Sequence, residues 1–193
     1  MYIRKKILFL LPLIFSLSVL SSDIEEIIVK GEYREKSLGE EDSSIAVIQS
    51  EQIKSQAIKH FQQLSHLVPN LNYAASDSRA RYFQIRGIGE RSGYQGTPNS
   101  SVGFLIDDID YSGQGGIATL FDVDQVEVFR GPQGSRSGAN ALAGLIYIKT
   151  KDPTEKFEGT SELTLGDYGT QNIGIAFGCL LYTSDAADES RGV

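Results

Sequence analysis

The chain has no tryptophan, one cysteine and only two histidines in its 193 residues. A single thiol, Cys179, cannot form an internal disulfide or anchor a metal cluster. Basic residues are also few, since 18 lysines and arginines face 25 aspartates and glutamates, which gives a net charge of -7. Nucleic-acid binding needs a basic face that neutralises phosphates, so the composition argues against that function.

Glycine and tyrosine, by contrast, are abundant. Twenty glycines and nine tyrosines without any tryptophan favour strands and turns over a helical bundle. The apolar fraction of 40% is sufficient for a buried core. The length suits one domain of ordinary size.

Residues 1–22 have the features of a secretory signal peptide. Three basic residues at positions 4–6 precede an apolar run, Ile7–Leu20, and two serines follow it. The run is shorter than the roughly 20 residues that a transmembrane helix needs. We therefore expect cleavage near Ser21 or Ser22 and export from the cytoplasm. The mature net charge becomes -10, because the peptide carries three cations and no acid.

The mature N-terminus begins with a short apolar segment and continues with a charged one. Asp23–Gly31 reads DIEEIIVKG, whereas residues 32–44 are highly charged and nearly free of large apolar side chains. This composition predicts a flexible linker over the second segment. The first segment is then a short apolar peptide that the flexible linker connects to the rest of the chain. The alternative for the first segment is a buried edge strand. The charged spacer after it favours exposure at least as strongly as burial.

A strand at Ile45–Ile48 and a helix are predicted next. The hydroxyl of Ser50 is placed to cap the start of the helix. Apolar residues then recur at spacings of three and four, on one helical face, at Ile58, Phe61, Leu64, Leu67 and Val68. Pro69 and Asn70 end the helix.

No catalytic arrangement is supported by the sequence. His60 and His66 are six positions apart, on different faces of the helix, and are predicted to be solvated surface residues. No nucleophile motif lies near them. Asp107 and Asp108 form an acidic pair, but an apolar strand flanks the pair on each side. A tight hairpin turn is therefore favoured over acid–base or metal chemistry.

The stretch from Val126 to Lys151, VEVFRGPQGSRSGANALAGLIYIKTK, has the glycine content of a phosphate loop. Such a loop requires a lysine and a serine or threonine after its last glycine, and then a helix. The lysine is missing, the run GLIYIKTK is typical of a strand, and no strand–helix–strand unit surrounds it. We interpret the glycines as positions of positive φ or of close approach to another surface.

From Phe157 the sequence alternates with period two. Apolar or small residues alternate with polar ones up to Leu165, a GDYG turn follows, and Ile173, Ile175 and Phe177 alternate with small residues. The pattern predicts a hairpin with one apolar and one polar face. Membrane β-barrels use such strands, with lipid on one side and the lumen on the other. A hairpin in a soluble sheet has the same pattern, and these two strands alone favour neither.

The last fifteen residues, 179–193, interrupt this pattern without a closing turn. Cys179–Glu189, CLLYTSDAADE, resembles the translated sequence of a common transposase-type sequencing adapter. We therefore expect these residues to be adapter read-through, and the natural chain to be much longer. In that case Cys179 has no biological role.

Four motifs in fixed order carry a family resemblance. They are IEEIIVKG, QIRGIG, VGFLIDDIDY and LFDVDQVEVFRGPQGSRSGANALAGLIYIKTKDPT. Behind a signal peptide, they resemble the plug domain of a TonB-dependent outer-membrane receptor, over residues 24 to about 178. The chain is thereby identified as an N-terminal fragment of such a receptor.

The resemblance implies an α+β plug, a small mixed sheet with short helices, followed by the first strands of a transmembrane antiparallel barrel. The plug then covers 45–153, the truncated barrel 154–178, and the TonB box with its flexible linker 23–44. It implies a location in the outer membrane of a Gram-negative bacterium, with the barrel against lipid and the N-terminus in the periplasm. It also implies that the protein has no enzymatic activity and no cofactor. The resemblance implies two partners. One is a scarce ligand, foremost an iron–siderophore complex and otherwise haem or cobalamin. The other is TonB, which binds the box by pairing a strand with it.

The resemblance also assigns residues. The TonB box is Ile24, Glu25, Glu26, Ile27, Ile28 and Val29. Contacts between plug and barrel are Arg86, Glu127 and Arg130. Ligand-facing apical loops, 88–101 and 111–119, offer Arg91, Tyr94, Gln95, Asn99, Tyr111 and Gln114. Structural glycines are Gly87, Gly131, Gly134, Gly138 and Gly144.

Two departures and one rival interpretation accompany the resemblance. The family's Asp-Gly in the plug hairpin is Asp107-Asp108 here, which leaves the turn geometry in doubt, and a glycine pair is replaced by Ala143-Gly144. The rival is a barrel-less periplasmic binding module, against which the alternating hairpin argues. A signalling extension is disfavoured by the short distance from signal peptide to box. We expect this chain alone to be poorly stable, because the barrel carboxylate that would pair with Arg130 is missing.

Overall fold

The computed structural model describes residues 26–31, 36–40, 42–75, 80–92, 99–115, 118–154 and 156–179. The predicted signal peptide and the adapter-like tail beyond Cys179 lie outside these ranges. The strands are β1 Ile28–Val29, β2 Lys36–Ser37, β3 Ile45–Gln49, β4 Leu71–Ala75, β5 Ala80–Ile85, β6 Val102–Ile106, β7 Ile109–Asp110, β8 Val123–Phe129, β9 Gly144–Thr150, β10 Glu158–Leu165 and β11 Gln171–Gly178. The α-helices are α1 Ser50–Ser55, α2 Phe61–Leu64 and α3 Gly134–Ser137, and single 3-10 turns lie at Leu38–Glu40 and Asp167–Gly169.

A five-stranded sheet forms the centre of the fold, in the order β3–β8–β9–β6–β7. Strands β6 and β9 run parallel, while the other neighbouring pairs are antiparallel. Parallel neighbours need a crossover connection, and the chain between β6 and β9 supplies it. The prediction of a small mixed sheet with short helices is confirmed.

Strand β8 shows that the sheet is buried on both faces. Val126 and Val128 are fully buried in the larger core, as their period-two spacing predicts. Glu127 and Phe129 are fully buried on the opposite face, where Phe129 joins a second, smaller core. Each face of the sheet therefore needs its own cover.

Aromatic residues connect the larger core to its cover. Phe61 of α2, Phe83 of β5 and Phe104 of β6 are all buried. Their ring centroids lie 5.0, 5.2 and 5.6 Å apart in the three pairs, and the Phe61 ring is nearly perpendicular to both others. Such pairs contribute about 0.5–1.5 kcal/mol each beyond the area they bury. The cluster fixes the helical segment and the β4–β5 hairpin on the sheet.

The single helix predicted from Ser50 onward is wrong, because two short helices occupy this region. Helix α1 ends at Ser55, and Ala57 follows with a φ of 51°. The amide of Ile58 donates to the carbonyl of Ile53, at 3.1 Å, and that of Ala57 to Lys54, at 3.0 Å. This pattern is a Schellman C-terminal motif. It ends the helix well before the predicted end at Pro69.

The predicted N-cap, Ser50, is also wrong. Ser50 is the first residue of α1 and its hydroxyl donates to Glu51, while Gln49 occupies the N-cap position without a side-chain cap. His60 is the N-cap of α2 and forms a capping box with Gln63. Its side chain is half-buried, so the prediction of a solvated histidine holds for His66 and fails for His60.

The Asp107-Asp108 turn closes the β6–β7 hairpin as predicted. Both residues have positive φ, 46° and 70°, which is the geometry of a type I′ turn. The Asp107 carboxylate accepts from the backbone N–H of Thr150 at 3.0 Å and from its hydroxyl. These two bonds join the turn to the end of β9. The hairpin turn therefore forms with Asp108 in the position where the family has glycine.

Strands β10 and β11 form the predicted hairpin. Their register pairs Glu162 with Gly174 and Leu163 with Ile173. The apolar residues of both strands therefore share one face, on which Leu163, Leu165, Ile173, Ile175 and Phe177 are 66–73% exposed. The opposite face carries polar and small residues.

Candidate functional site

The candidate site is the N-terminal segment and the sheet face beneath it. Ile24 and Glu25 of the predicted TonB box lie outside the described residues. Ile28 and Val29 form β1, which pairs antiparallel with Ser37 and Lys36 of β2. Ile28 is 43% exposed and Val29 is completely buried.

Side chains of β8 bind the backbone of this segment through hydrogen bonds. The two carboxylate oxygens of Glu127 accept from the backbone N–H of Lys30, at 2.6 Å, and of Gly31, at 2.8 Å. Gln125 donates from Nε2 to the carbonyl of Ile28, at 3.0 Å, and also to Glu127. A fully buried carboxylate is costly unless it is hydrogen-bonded, and these donors provide that compensation.

An ion pair and apolar contacts complete the attachment. Lys30 Nζ lies 2.8 Å from the carboxylate of Asp124. Val29 belongs to the smaller core with Phe129, Leu145 and Tyr147. Burying a valine side chain stabilises by about 1.5–3 kcal/mol.

These contacts correct two expectations. The apolar segment was expected to be exposed on a tether, but Ile28–Val29 forms a strand in which Val29 is buried, as in the alternative, while Ile28 stays exposed. Glu127 was expected to contact a barrel wall, but none of its surface is exposed and its charge is engaged by the N-terminal segment. The sequence signal that was missed is Gly31. Only glycine lets the backbone at this position approach the Glu127 carboxylate so closely, because a Cβ there would lie 2.4 Å from Glu127 Oε2.

The two arginines predicted at the plug–barrel boundary have different surroundings. Arg86 is exposed, has a φ of 54°, and donates its backbone N–H to the carbonyl of Asn70 at 2.9 Å. Arg130 is half-buried, and its Nε is buried without a hydrogen-bond partner among the described residues. An unpaired buried guanidinium nitrogen is costly. The contact of Arg130 with a barrel stays a prediction.

The end of the first predicted ligand-facing loop and the start of the second lie close together at one end of the sheet. Tyr94 and Gln95 lie outside the described residues. Arg81 Nε donates to the carbonyl of Gly113 at 3.3 Å, and a Cβ on Gly113 would lie 3.7 Å from Ser100 Oγ. Asn140 bridges the same region, since it accepts from the Ser100 amide and donates to Asp110.

The individual residues predicted in these loops are not all brought together. Tyr111 and Gln114 line a cavity of about 360 Å³ with Phe121, Ile148 and Thr150. Arg91 and Asn99 are exposed and are not among the residues that line it. Sequence reasoning also missed Glu90, whose carboxylate accepts from the amide and hydroxyl of Ser101, at 2.9 and 2.6 Å, and so fixes the end of the first loop.

The predicted structural glycines have mixed outcomes. Gly87 and Gly138 have φ of 81° and 62°. Gly144 permits a close approach, because a Cβ would lie 2.3 Å from the carbonyl oxygen of Phe129. Gly131 and Gly134 meet neither criterion, since they have no positive φ and no described atom lies within 4 Å of the position that a Cβ would occupy. For these two glycines the structural role stays a prediction.

The β10–β11 hairpin contacts the rest of the domain through its polar face. Gly174 lies against Phe121, whose Cε2 would be 2.5 Å from a Cβ at that position. Glu162, the cross-strand partner of Gly174, forms an ion pair with Lys59. The hairpin thus turns its polar face inward and its apolar face to the outside.

This fold matches a known sequence family. The model of the TonB-dependent Receptor Plug Domain family matches residues 37–145, more than half of the chain. The chain belongs to this family. The match covers the five-stranded sheet as far as the first residues of β9, together with α1, α2 and the glycine-rich loop.

Curated relatives of this plug domain include two receptors. The pesticin receptor of Yersinia pestis is 26% identical over 155 residues, which are 79% of this chain and 23% of the relative. The ferripyoverdine receptor of Pseudomonas aeruginosa is 25% identical over 126 residues, which are 65% of this chain and 15% of the relative. The chain therefore spans less than a quarter of the length of these relatives.

Solved structures share the plug fold. The outer-membrane ferripyoverdine receptor of Pseudomonas aeruginosa, bound to ferripyoverdine, superposes with a TM-score of 0.65 at 20% identity, over 81% of this chain and 20% of that one. The ferric yersiniabactin uptake receptor of Yersinia pestis gives 0.61 at 23% identity, over 73% and 22%. In the part of the chain that the structure describes, no helix is long and apolar enough to cross a membrane.

Proposed function

We propose that this chain is the plug domain and the first two barrel strands of an outer-membrane receptor. The receptor takes up an iron–siderophore complex with work supplied by TonB and performs no covalent chemistry. The observation that carries the proposal is the apolar face of β10–β11, which directly follows a plug of this family. Five large side chains on that face are at least 66% exposed, which suits lipid and does not suit water.

Other observations support this assignment. The polar face of the hairpin contacts the plug, as expected of strands whose inner face lines a filled lumen. Arg130 Nε is buried without a hydrogen-bond partner in the described ranges, which supports its assignment to a carboxylate of the barrel wall. The named relatives are receptors for pesticin and ferripyoverdine, and a structural neighbour takes up ferric yersiniabactin. We therefore assign a siderophore, in preference to haem or cobalamin, to this receptor.

The energy-coupling partner is assigned to the N-terminal segment. Ile24–Val29 is short, β-prone and followed by a charged linker, which suits strand addition by TonB in the periplasm. The loops that meet near Ser100 and Gly113 are assigned to the outer side of the plug, where Arg91, Asn99, Tyr111 and Gln114 are the described candidates for ligand contact.

Substitution of Ile27 by proline in the complete receptor tests this proposal. Proline has no N–H and disrupts strand pairing, so uptake of ferripyoverdine or ferric yersiniabactin labelled with radioactive iron should be lost. Surface binding of the same labelled compounds should persist. Asp42→Pro is the control, because Asp42 is exposed and outside the strands. Uptake that survives Ile27→Pro would exclude Ile24–Val29 as the box, and a wild-type receptor that binds no ferric siderophore would exclude the ligand class.

A further inference from the structure

We propose that Asn140 is a positioning residue for ligand binding, which holds the end of the first ligand-facing loop and the start of the second at a fixed separation. Asn140 belongs to neither loop, since it lies between α3 and β9 and is half-buried. The inference rests on the proposed function, because it concerns how the surface assigned to ligand contact is organised.

Both polar atoms of the Asn140 side chain are engaged. Its Oδ1 accepts from the backbone N–H of Ser100 at 3.1 Å, and its Nδ2 donates to Asp110 Oδ2 at 2.8 Å. A backbone N–H only donates and a carboxylate only accepts, so the two partners together fix the orientation of the amide. Asparagine therefore connects the residue at the end of the first loop with a residue of β7.

Asp110 continues this connection into the second loop. Its Oδ1 accepts from the backbone N–H of Ser112 at 2.8 Å, which shapes the start of the loop. Strand β7 has only two residues, so a long backbone ladder does not determine where the second loop begins. We call the hydrogen bonds that run from Ser100 through Asn140 and Asp110 to Ser112 the loop bridge.

Backbone hydrogen bonds fix the first loop to the segment that carries Asn140. The Ala141 N–H donates to the carbonyl of Ser100 at 3.2 Å, and the Ala143 N–H donates to that of Ser101 at 2.8 Å. Asn140 is thus held beside the end of the first loop. From this position its side chain reaches the start of the second loop.

The loop bridge adjoins two described candidates for ligand contact. Asn99 precedes Ser100 in the sequence, and Tyr111 lies between Asp110 and Ser112. A surface that is already fixed before the ligand arrives loses less conformational entropy on binding, and it therefore binds more tightly. A change in the loop bridge should alter ligand affinity although Asn140 itself is outside the loops.

The test exchanges the two side chains at the centre of the loop bridge in the complete receptor. Asn140→Asp keeps the acceptor for Ser100 but places two carboxylates side by side. Asp110→Asn leaves position 110 with one acceptor oxygen for two donors, the Asn140 amide and the Ser112 N–H.

The double variant Asp110→Asn/Asn140→Asp reverses donor and acceptor between the two positions. The new asparagine at position 110 accepts from Ser112 and donates to the new aspartate at position 140, which accepts from Ser100. All the hydrogen bonds of the loop bridge are restored in this variant. Recovery in the double variant is a result that a loss of general stability in the single variants would not produce.

The first readout is the dissociation constant for ferripyoverdine and for ferric yersiniabactin, each labelled with radioactive iron. Asn140→Asp should weaken binding by roughly tenfold, because losing a hydrogen bond to a charged group corresponds to about that factor. Asp110→Asn should weaken binding in the same direction, and the double variant should bind within about twofold of wild type. Asn72→Asp is the control, since it introduces the same charge at an exposed position of β4, outside both loops.

Hydrogen exchange gives a second readout that requires no ligand. The amides of Ser100 and Ser112 should be protected in the wild type and in the double variant, and they should exchange faster in the single variants. Val126 and Ile146 amides in the central sheet should stay protected in all variants, which shows that the fold is intact. If one single variant loses protection there, the other single variant and the double variant decide the test.

The outcomes separate this inference from the proposed function. If the single variants bind like wild type, or if the double variant binds as weakly as the two single changes combined, the positioning role is refuted and the transport proposal stands. If the wild type binds neither probe, the ligand class of the proposed function is refuted. The loop bridge is then decided by exchange alone: recovery of the Ser100 and Ser112 amides in the double variant supports it, and unchanged exchange in the single variants refutes it.

Discussion

At the scale of single residues, Glu127 shows how a buried charge is accommodated. Its carboxylate has no exposed surface and accepts from Gln125 and from two backbone N–H groups. Removing such an acceptor leaves buried donors unsatisfied, which costs about 1–3 kcal/mol for each group that water cannot reach. Position 127 therefore determines whether the N-terminal segment is attached.

Ala57 carries a testable backbone strain. It is the left-handed residue of the Schellman motif after α1, a position at which glycine is usual. An L-residue in this conformation costs roughly 1–2 kcal/mol, so Ala57→Gly should stabilise the domain by up to about 1 kcal/mol. The midpoint of urea unfolding of the purified chain measures the effect.

Ala139→Gly provides the matched control for Ala57→Gly. Both alanines are exposed, but Ala139 does not have a positive φ. The extra freedom of glycine in the unfolded chain should leave this variant unchanged or slightly less stable. Equal shifts in the two variants would show that Ala57 is not strained.

At the scale of elements, strands could be predicted better than helices. The period-two pattern of Val126 and Val128, and of Leu163 and Leu165, is specific to strands and survives in the structure. The three-and-four spacing from Ile58 to Val68 is satisfied equally by a short helix and turns that pack on one sheet face, so it could not reveal the break at Ala57. Attachment of the N-terminal segment depends on Glu127, almost a hundred residues away, and no local pattern encodes it.

The contact between the hairpin and the plug gives a prediction for β11. Gly174→Leu places a side chain where Phe121 Cε2 lies, so it should displace the hairpin from the plug and free Lys59 from Glu162. We expect trypsin to cleave the complete, purified receptor after Lys59 several times faster than the wild type.

Gly178→Leu is the control for Gly174→Leu. Gly178 lies on the same face of the same strand, and no described atom lies within 4 Å of its Cβ position. Cleavage of this variant should proceed at the wild-type rate. If Gly174→Leu also retains the wild-type rate, the hairpin does not cover this part of the plug.

At the scale of the whole molecule, the described surface is incomplete without further protein or lipid. The outer face of β10–β11 is apolar and exposed, and Arg130 Nε is buried without an acceptor in the described ranges. Both features are unfavourable in water and are relieved by a closed barrel in a bilayer, because such a barrel supplies lipid on one side and polar groups on the other. The same features are the physical reason to expect poor stability of this chain alone.

The most direct test of the central claim, that a plug and the start of a barrel are present here, is to sequence the source gene past the codon for Gly178 with long reads. We predict that the natural frame departs from the adapter-like residues 179–193 and continues for several hundred residues of alternating strands. A frame that ends at Val193 would contradict the claim, since two strands cannot close a barrel, and a periplasmic binding module would then take its place.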